Sequence, residues 1–312
     1  MAYWYYEVHR RLSVQSWEKL DEPPLNPSTI EEQIEGIKRS ADGTKYHKNN
    51  WSKYSQGLRC PHPTLVERVN ELVPGTEHVL NHPIWDCLRS EKRRYLSRQM
   101  LIGQLHPGIQ NLLFEFDKID GARSRQAIDQ ATLERLEEQP GLDALACLML
   151  LLEEHEGQAI ALDIGLSIYR VLLILCGIRA FEAIEVELFE ILAERVFPFA
   201  NNRKQSVSFN ATKILLAASH LNAHVVRSMA LGEAPMTWEG GVQTSISVLR
   251  ESNGLLLQRL LSVPIKENGK VECAELEMMT LLYEGISAMQ ARHEERPIGS
   301  GLVEQLRRLH AD

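Results

Sequence analysis

Residues 142–199 read LDALACLMLLLEEHEGQAIALDIGLSIYRVLLILCGIRAFEAIEVELFEILAERVFPF, and this block decides the fold. Its apolar residues recur every three or four positions, which is the spacing of one face of an α-helix and not the alternation of a strand. The middle segment, residues 159–178, is apolar on more than one face, so it predicts a buried helix that its neighbours surround. The sequence therefore predicts an all-α chain with this block at the centre of a larger multi-helix bundle or array.

Charge is unevenly distributed along the chain. The formal net charge is −8, which by itself favours a protein that stays in solution over one that binds nucleic acid. Between residues 38 and 98, however, there are 12 Lys and Arg against 6 Asp and Glu, so this segment carries +6 and the remainder −14. Such asymmetry indicates one polyanion-binding region, although charge also clusters by chance on a small domain.

Within this basic segment, residues 49–76 read NNWSKYSQGLRCPHPTLVERVNELVPGT. A short polar helix ends at Gly57, an extended stretch passes through Pro61, and Thr64 opens the next helix. This arrangement resembles the second half of a Cro/repressor-type helix-turn-helix domain. The resemblance implies a recognition helix around Trp51 and Lys53 that enters the major groove of double-stranded DNA.

Polar and basic side chains in and beside this helix are the candidates for DNA contact, because such groups bond to base edges and phosphates. The candidates are Lys45, Lys48, Asn49, Asn50, Ser52, Lys53 and Arg59, supported on phosphates by Lys92, Arg93 and Arg94.

One feature departs from the family pattern. Residues 41–49, ADGTKYHKN, read as a loop, whereas the family has a helix there. A second interpretation is therefore open, in which this region is only a connector, Trp51 fills a core and Lys53 is merely solvated.

Composition divides the chain into three parts. Residues 1–27 hold an aromatic cluster and the linker DEPPLNP, and we expect a docked arm or short strand. Residues 28–105 form the basic helix-turn-helix-like domain, and residues 106–312 form the acidic α-helical domain.

Several side chains that ligate soft metals lie close together in the sequence. They are Cys60, His62, His78, His82 and Cys87. A structural zinc site needs four converging ligands, and these spacings follow no standard zinc finger, so we predict no metal. The chain also lacks a phosphate-binding loop and a nucleophile elbow, so we expect neither an enzyme nor a cofactor.

The cysteines and the longest apolar run indicate the compartment. Five cysteines without a close pair are typical of a reducing cytoplasm. The longest apolar run, residues 164–178, contains Arg170 and is shorter than the roughly 18–20 residues that a membrane span needs. We find no targeting signal, and we expect a cytoplasmic protein without a membrane partner.

Two functions from different classes remain. The first is a DNA-binding regulator, in which the basic segment reads DNA and the helical body forms a homodimer or senses an effector. The second is a non-enzymatic helical interaction protein, in which the basic segment docks an acidic protein partner.

Overall fold

The computed structural model describes residues 1–15, 26–89, 96–116, 123–176, 181, 184–201, 205–207, 211–235, 237–251 and 265–267. Its helices are α1 (Ala2–Gln15), α2 (Pro27–Glu35), α3 (Asn50–Ser55), α4 (Pro63–Leu72), α5 (Thr76–Leu80), α6 (Ile84–Cys87), α7 (Arg98–Gln104), α8 (Pro107–Leu113), α9 (Gln130–Glu137), α10 (Leu142–Glu154), α11 (Ile160–Leu175), α12 (Glu185–Arg195), α13 (Ala211–Ala230) and α14 (Trp238–Glu251). A 3-10 turn covers Phe197–Ala200. The predicted all-α class is confirmed.

Two small antiparallel ribbons accompany the helices. Strand β1 (Phe114–Phe116) pairs with β2 (Arg123–Arg125), and β3 (Gln205–Val207) pairs with β4 (Ile265–Glu267). Each of these strands has three residues, so the ribbons are too short to form a layer of their own.

The predicted central block forms α10, α11 and α12, and α11 is the helix that the others surround. It packs against α9, α10, α13 and the 3-10 turn. Leu172, in its last turn, is fully buried. Gly165 lets the 3-10 turn approach closely, because a Cβ at this position would lie 2.6 Å from the Cβ of Ala200. Because neighbours pack on several sides of α11, apolar residues occupy more than one of its faces.

The aromatic N-terminus forms helix α1 and not the predicted arm or short strand. Its rings are docked as expected, because so much aromatic area is unfavourable in water. Trp4 stacks on Trp51 with ring centroids 5.9 Å apart, and Tyr3 packs edge-on against Phe181 at 5.2 Å. Helix α1 therefore bridges α3 and the larger helical body, and their buried side chains form one contiguous cluster.

No helix in the described part of the chain combines the length and the apolar character that a membrane crossing requires.

Replacing Leu172 with Asp tests the central position of α11. The substitution buries an unpaired charge, so we expect the free energy of unfolding to fall by about 4 kcal/mol or more. Thermal or urea unfolding measures this loss. Leu172→Met is the matched control, since a swap of similar volume costs less than about 1.5 kcal/mol. An Asp variant that unfolds like the wild type would contradict the assignment of α11 as the core helix.

Candidate nucleic-acid interface

Local sequence sets the limits of α3. Asn49, just before the helix, has a left-handed backbone with φ of 53°, and Gly57, just after it, has φ of 70°. Helix α4 then begins at Pro63, where the His62 ring accepts a bond from the Thr64 amide at 3.4 Å. The predicted short helix, glycine stop and restart are therefore present, although His62 and not Thr64 caps α4. Because α3 has only six residues, it offers little surface for reading bases.

One side of α3 faces inward. Trp51 is fully buried, stacks on Trp4, and meets the Tyr54 ring edge-on at 5.6 Å. Its indole N–H donates a hydrogen bond to Glu35 Oε1 at 2.8 Å. These contacts fix the rotation of α3 about its own axis. Trp51 thus fills a core, as the connector interpretation expects, but a buried aromatic face is also what orients any docked recognition helix.

The side of α3 opposite Trp51 faces solvent and carries Asn49, Ser52 and Lys53, because positions three and four apart share a helix face. We call these three residues, together with Lys48 just before the helix and Arg59 on its flank beside Asn50 and Tyr54, the α3 face. Ser52 is half-buried and the other four residues are exposed. No carboxylate of a described residue lies within salt-bridge distance of its three cations; Arg59 instead donates a hydrogen bond to Asn50 Oδ1 at 2.8 Å.

Residues 38–46, which precede α3, fold into a short antiparallel turn. Arg39 and Lys45 pair across it, and the Ser40 amide donates to the Thr44 carbonyl at 2.9 Å. Asp42 at the tip accepts bonds from the Ser40 hydroxyl and the Thr44 amide, which lower its pKa to about 2. Residues 41–49 contain no helix, as predicted, and the tip of the turn carries a negative charge.

Glutamates from α2 neutralise part of the basic segment. Lys38 lies 3.1 Å from Glu31 and 2.6 Å from Glu35, and Lys45 lies 2.5 Å from Glu32. These three glutamates lie just before residue 38 in the sequence, so the count of +6 for residues 38–98 does not include them. In the fold they lie against that segment and lower its effective positive charge.

The pKa of Glu35 bears on its ion pair with Lys38, which requires the carboxylate to be charged. Burial raises the pKa of Glu35, but hydrogen bonds from Lys38 and Trp51 outweigh burial, so its pKa lies below the ordinary value. Glu35 is therefore ionised and compensates Lys38, one of the cations counted in the +6 segment.

The ten candidate residues thus have different environments. Lys45 is held in an ion pair and Asn50 in a hydrogen bond, whereas the remaining candidates of the 45–59 region form the α3 face. Lys92, Arg93 and Arg94 lie outside the described residues.

The five possible soft-metal ligands do not converge. Cys60 is exposed beside α4, whereas Cys87 is buried. Within the described residues, His78 and His82 instead meet Asp143, with one ligand atom from each within 4.8 Å of the others. No sequence pattern predicts the part played by Asp143, which lies in α10, 61 positions after His82.

No family model, curated protein or solved structure matches this chain. The functional proposals below therefore depend on its own residues alone.

Substituting Trp51 tests what orients the α3 face. Trp51→Ala leaves a cavity beneath α3, so we expect the free energy of unfolding to fall by about 3–5 kcal/mol. Trp51→Phe keeps an aromatic ring and should lose less. Lys53→Ala is the control on the exposed side, with an expected change within about 0.5 kcal/mol. Equal stability of Trp51→Ala and Lys53→Ala in urea unfolding would show that Trp51 does not hold the helix.

Proposed function

We propose that this chain binds double-stranded DNA through the α3 face, mainly by contacts with phosphates. The observation that carries the proposal is the orientation of α3: burial of Trp51 and Tyr54 directs Lys53 and its neighbours outward. Lys53 and Arg59 form no ion pair within the described residues, and Lys48 has only a longer-range interaction with Glu35, so these cations remain available to phosphates, to which they bind by displacing condensed counterions.

Phosphates are favoured over bases because few neutral polar groups point outward. The neutral polar side chains of the α3 face are Asn49 and Ser52, since Asn50 is bonded to Arg59. Sequence-specific recognition normally needs several base contacts spread over a larger buried surface. One chain is therefore expected to bind many duplex sequences with similar affinity. The proposal places this activity in the cytoplasm, in keeping with the free thiols of Cys60, Cys87, Cys147 and Cys176.

The salt dependence of binding gives the number of phosphates that are contacted. Three cations on the α3 face predict a slope of log K against log [salt] of about −2.7 for each bound chain. Lys53→Ala should weaken binding to all duplexes about equally and reduce the slope by roughly one unit. Fluorescence anisotropy with a labelled duplex across a salt series measures both quantities.

A gain-of-binding variant complements this loss. Glu32→Gln removes the ion pair that holds Lys45 and one negative charge, so we expect tighter duplex binding and a steeper slope. Glu194→Gln, on α12, removes an exposed charge of the same sign far along the sequence and is the matched control. The proposal is wrong if the wild type shows no salt-dependent binding, or if Lys53→Ala and Glu32→Gln both bind as the wild type does.

The proposal includes a two-fold dimer. A single six-residue helix buries too little surface to bind DNA stably by itself. A two-fold dimer is the expected assembly, because it is the commonest form of soluble homo-oligomers. We expect light scattering at micromolar concentration to give twice the chain mass of 35.5 kDa. A mass of one chain at that concentration would contradict the dimer, while leaving the α3 face to be tested by its salt slope.

A helical interaction protein is the second candidate function. Apolar side chains are exposed on α13, on α14 and in the turn between them: Val226 is 56% exposed, Leu231 62% and Trp238 46%. Large exposed apolar groups are common at protein interfaces. A protein that uses this surface, and docks an acidic partner on the basic segment, would bind that partner but not arbitrary duplex DNA.

A further inference from the structure

Two histidines and an aspartate meet where the N-terminal helices contact α10. His78 lies in α5, His82 follows four residues later, and their ring centroids are 5.1 Å apart. Asp143 belongs to the first turn of α10. The three residues offer two nitrogens and one oxygen within 4.8 Å of one another.

The second observation is a buried nitrogen without a hydrogen bond. The His82 side chain is only 2% exposed, and its Nε2 has no hydrogen-bond partner among the described residues. This nitrogen lies 3.4 Å from Asp143 Oδ1, without the alignment of a hydrogen bond. Ligands held at about 2.0–2.1 Å in a tetrahedron are about 3.3–3.4 Å apart, so this distance matches an edge of a coordination site.

We propose that His78, His82 and Asp143 bind one divalent first-row transition-metal ion of the Zn²⁺ type. Two imidazole nitrogens and one carboxylate oxygen suit such an ion, whereas Mg²⁺ prefers oxygen ligands alone. His78 is exposed, so its ring is free to turn toward the other two ligands, and water completes the fourth position. This site is independent of the proposed contact with DNA.

Asp143 is oriented for this role. Its Oδ1 accepts a hydrogen bond from the His106 amide at 2.7 Å, and carboxylates that bind metals are commonly held in this way.

Metal binding has one local cost. His82 Nδ1 accepts a hydrogen bond from the Ile84 amide at 3.1 Å, at the start of α6. A metal on Nε2 places the ring proton on Nδ1, so this bond is lost. Loss of one such hydrogen bond corresponds to roughly a fivefold reduction in affinity, which is smaller than the effect of losing a ligand.

The test is titration of the metal-free full chain with Zn²⁺. We expect one ion per chain by isothermal calorimetry and a rise in Tm, because an ion that binds only the folded state stabilises it. Co²⁺ in place of Zn²⁺ should produce the visible absorption of a four-coordinate site. Mg²⁺ at the same concentration should change neither readout.

Three variants locate the ion. His78→Ala removes an exposed ligand without opening a cavity, and Asp143→Asn keeps an acceptor for the His106 amide. His82→Asn removes the imidazole but keeps an acceptor for the Ile84 amide. Each should weaken Zn²⁺ binding at least tenfold and reduce the rise in Tm. His62→Asn, at the equivalent cap of α4, is the matched control and should bind Zn²⁺ as the wild type does.

Two results would overturn the proposal. One is the absence of stoichiometric Zn²⁺ binding to the wild type, whatever its effect on Tm. The other is unchanged Zn²⁺ affinity in His78→Ala and Asp143→Asn, which would place the ion on other residues such as the cysteines. Because His78→Ala leaves the core intact, its result is decisive even if His82→Asn fails to fold.

Discussion

The stack of Trp4 on Trp51 determines which side of α3 meets solvent. The two rings lie nearly parallel, with an interplanar angle of 20°, and Tyr54 closes the cluster edge-on. Through Tyr3 and Phe181 the same helix α1 is anchored on the larger body. The outward direction of Lys53 is therefore a consequence of packing on the other side of α3, and any function of the α3 face depends on that packing.

Electrostatics limits what this surface can do. Glu31, Glu32 and Glu35 compensate Lys38 and Lys45, so the available positive charge is smaller than the sequence indicates. Few contacts with phosphates correspond to moderate affinity and a shallow salt dependence. A dimer would present two α3 faces to one duplex and so double both the number of cations near phosphates and the protein surface buried against DNA. For this reason the proposed DNA contact includes two chains.

The sequence predicts those features that depend on local spacing. Periodic apolar residues give α10 and α11, and Gly57 and Pro61 give the end of α3 and the extended segment after it. It cannot predict that Glu32 pairs with Lys45, because that contact depends on how residues 38–46 turn back toward α2. Asp143 is missed for the same reason, since helix packing brings it to His82. The aromatic cluster of residues 3–6 predicts burial but not conformation, because aromatic residues are common in helices and strands alike.

The most direct measurement of the central claim is hydrogen–deuterium exchange of the full chain with and without a saturating duplex. Contact through the α3 face predicts slower amide exchange in peptides that cover residues 45–60, with no change in those from α10 and α11. Those two core helices therefore serve as the internal reference. Bound DNA without any protection of residues 45–60, or with protection confined to another region, would contradict the claim that α3 presents the binding surface.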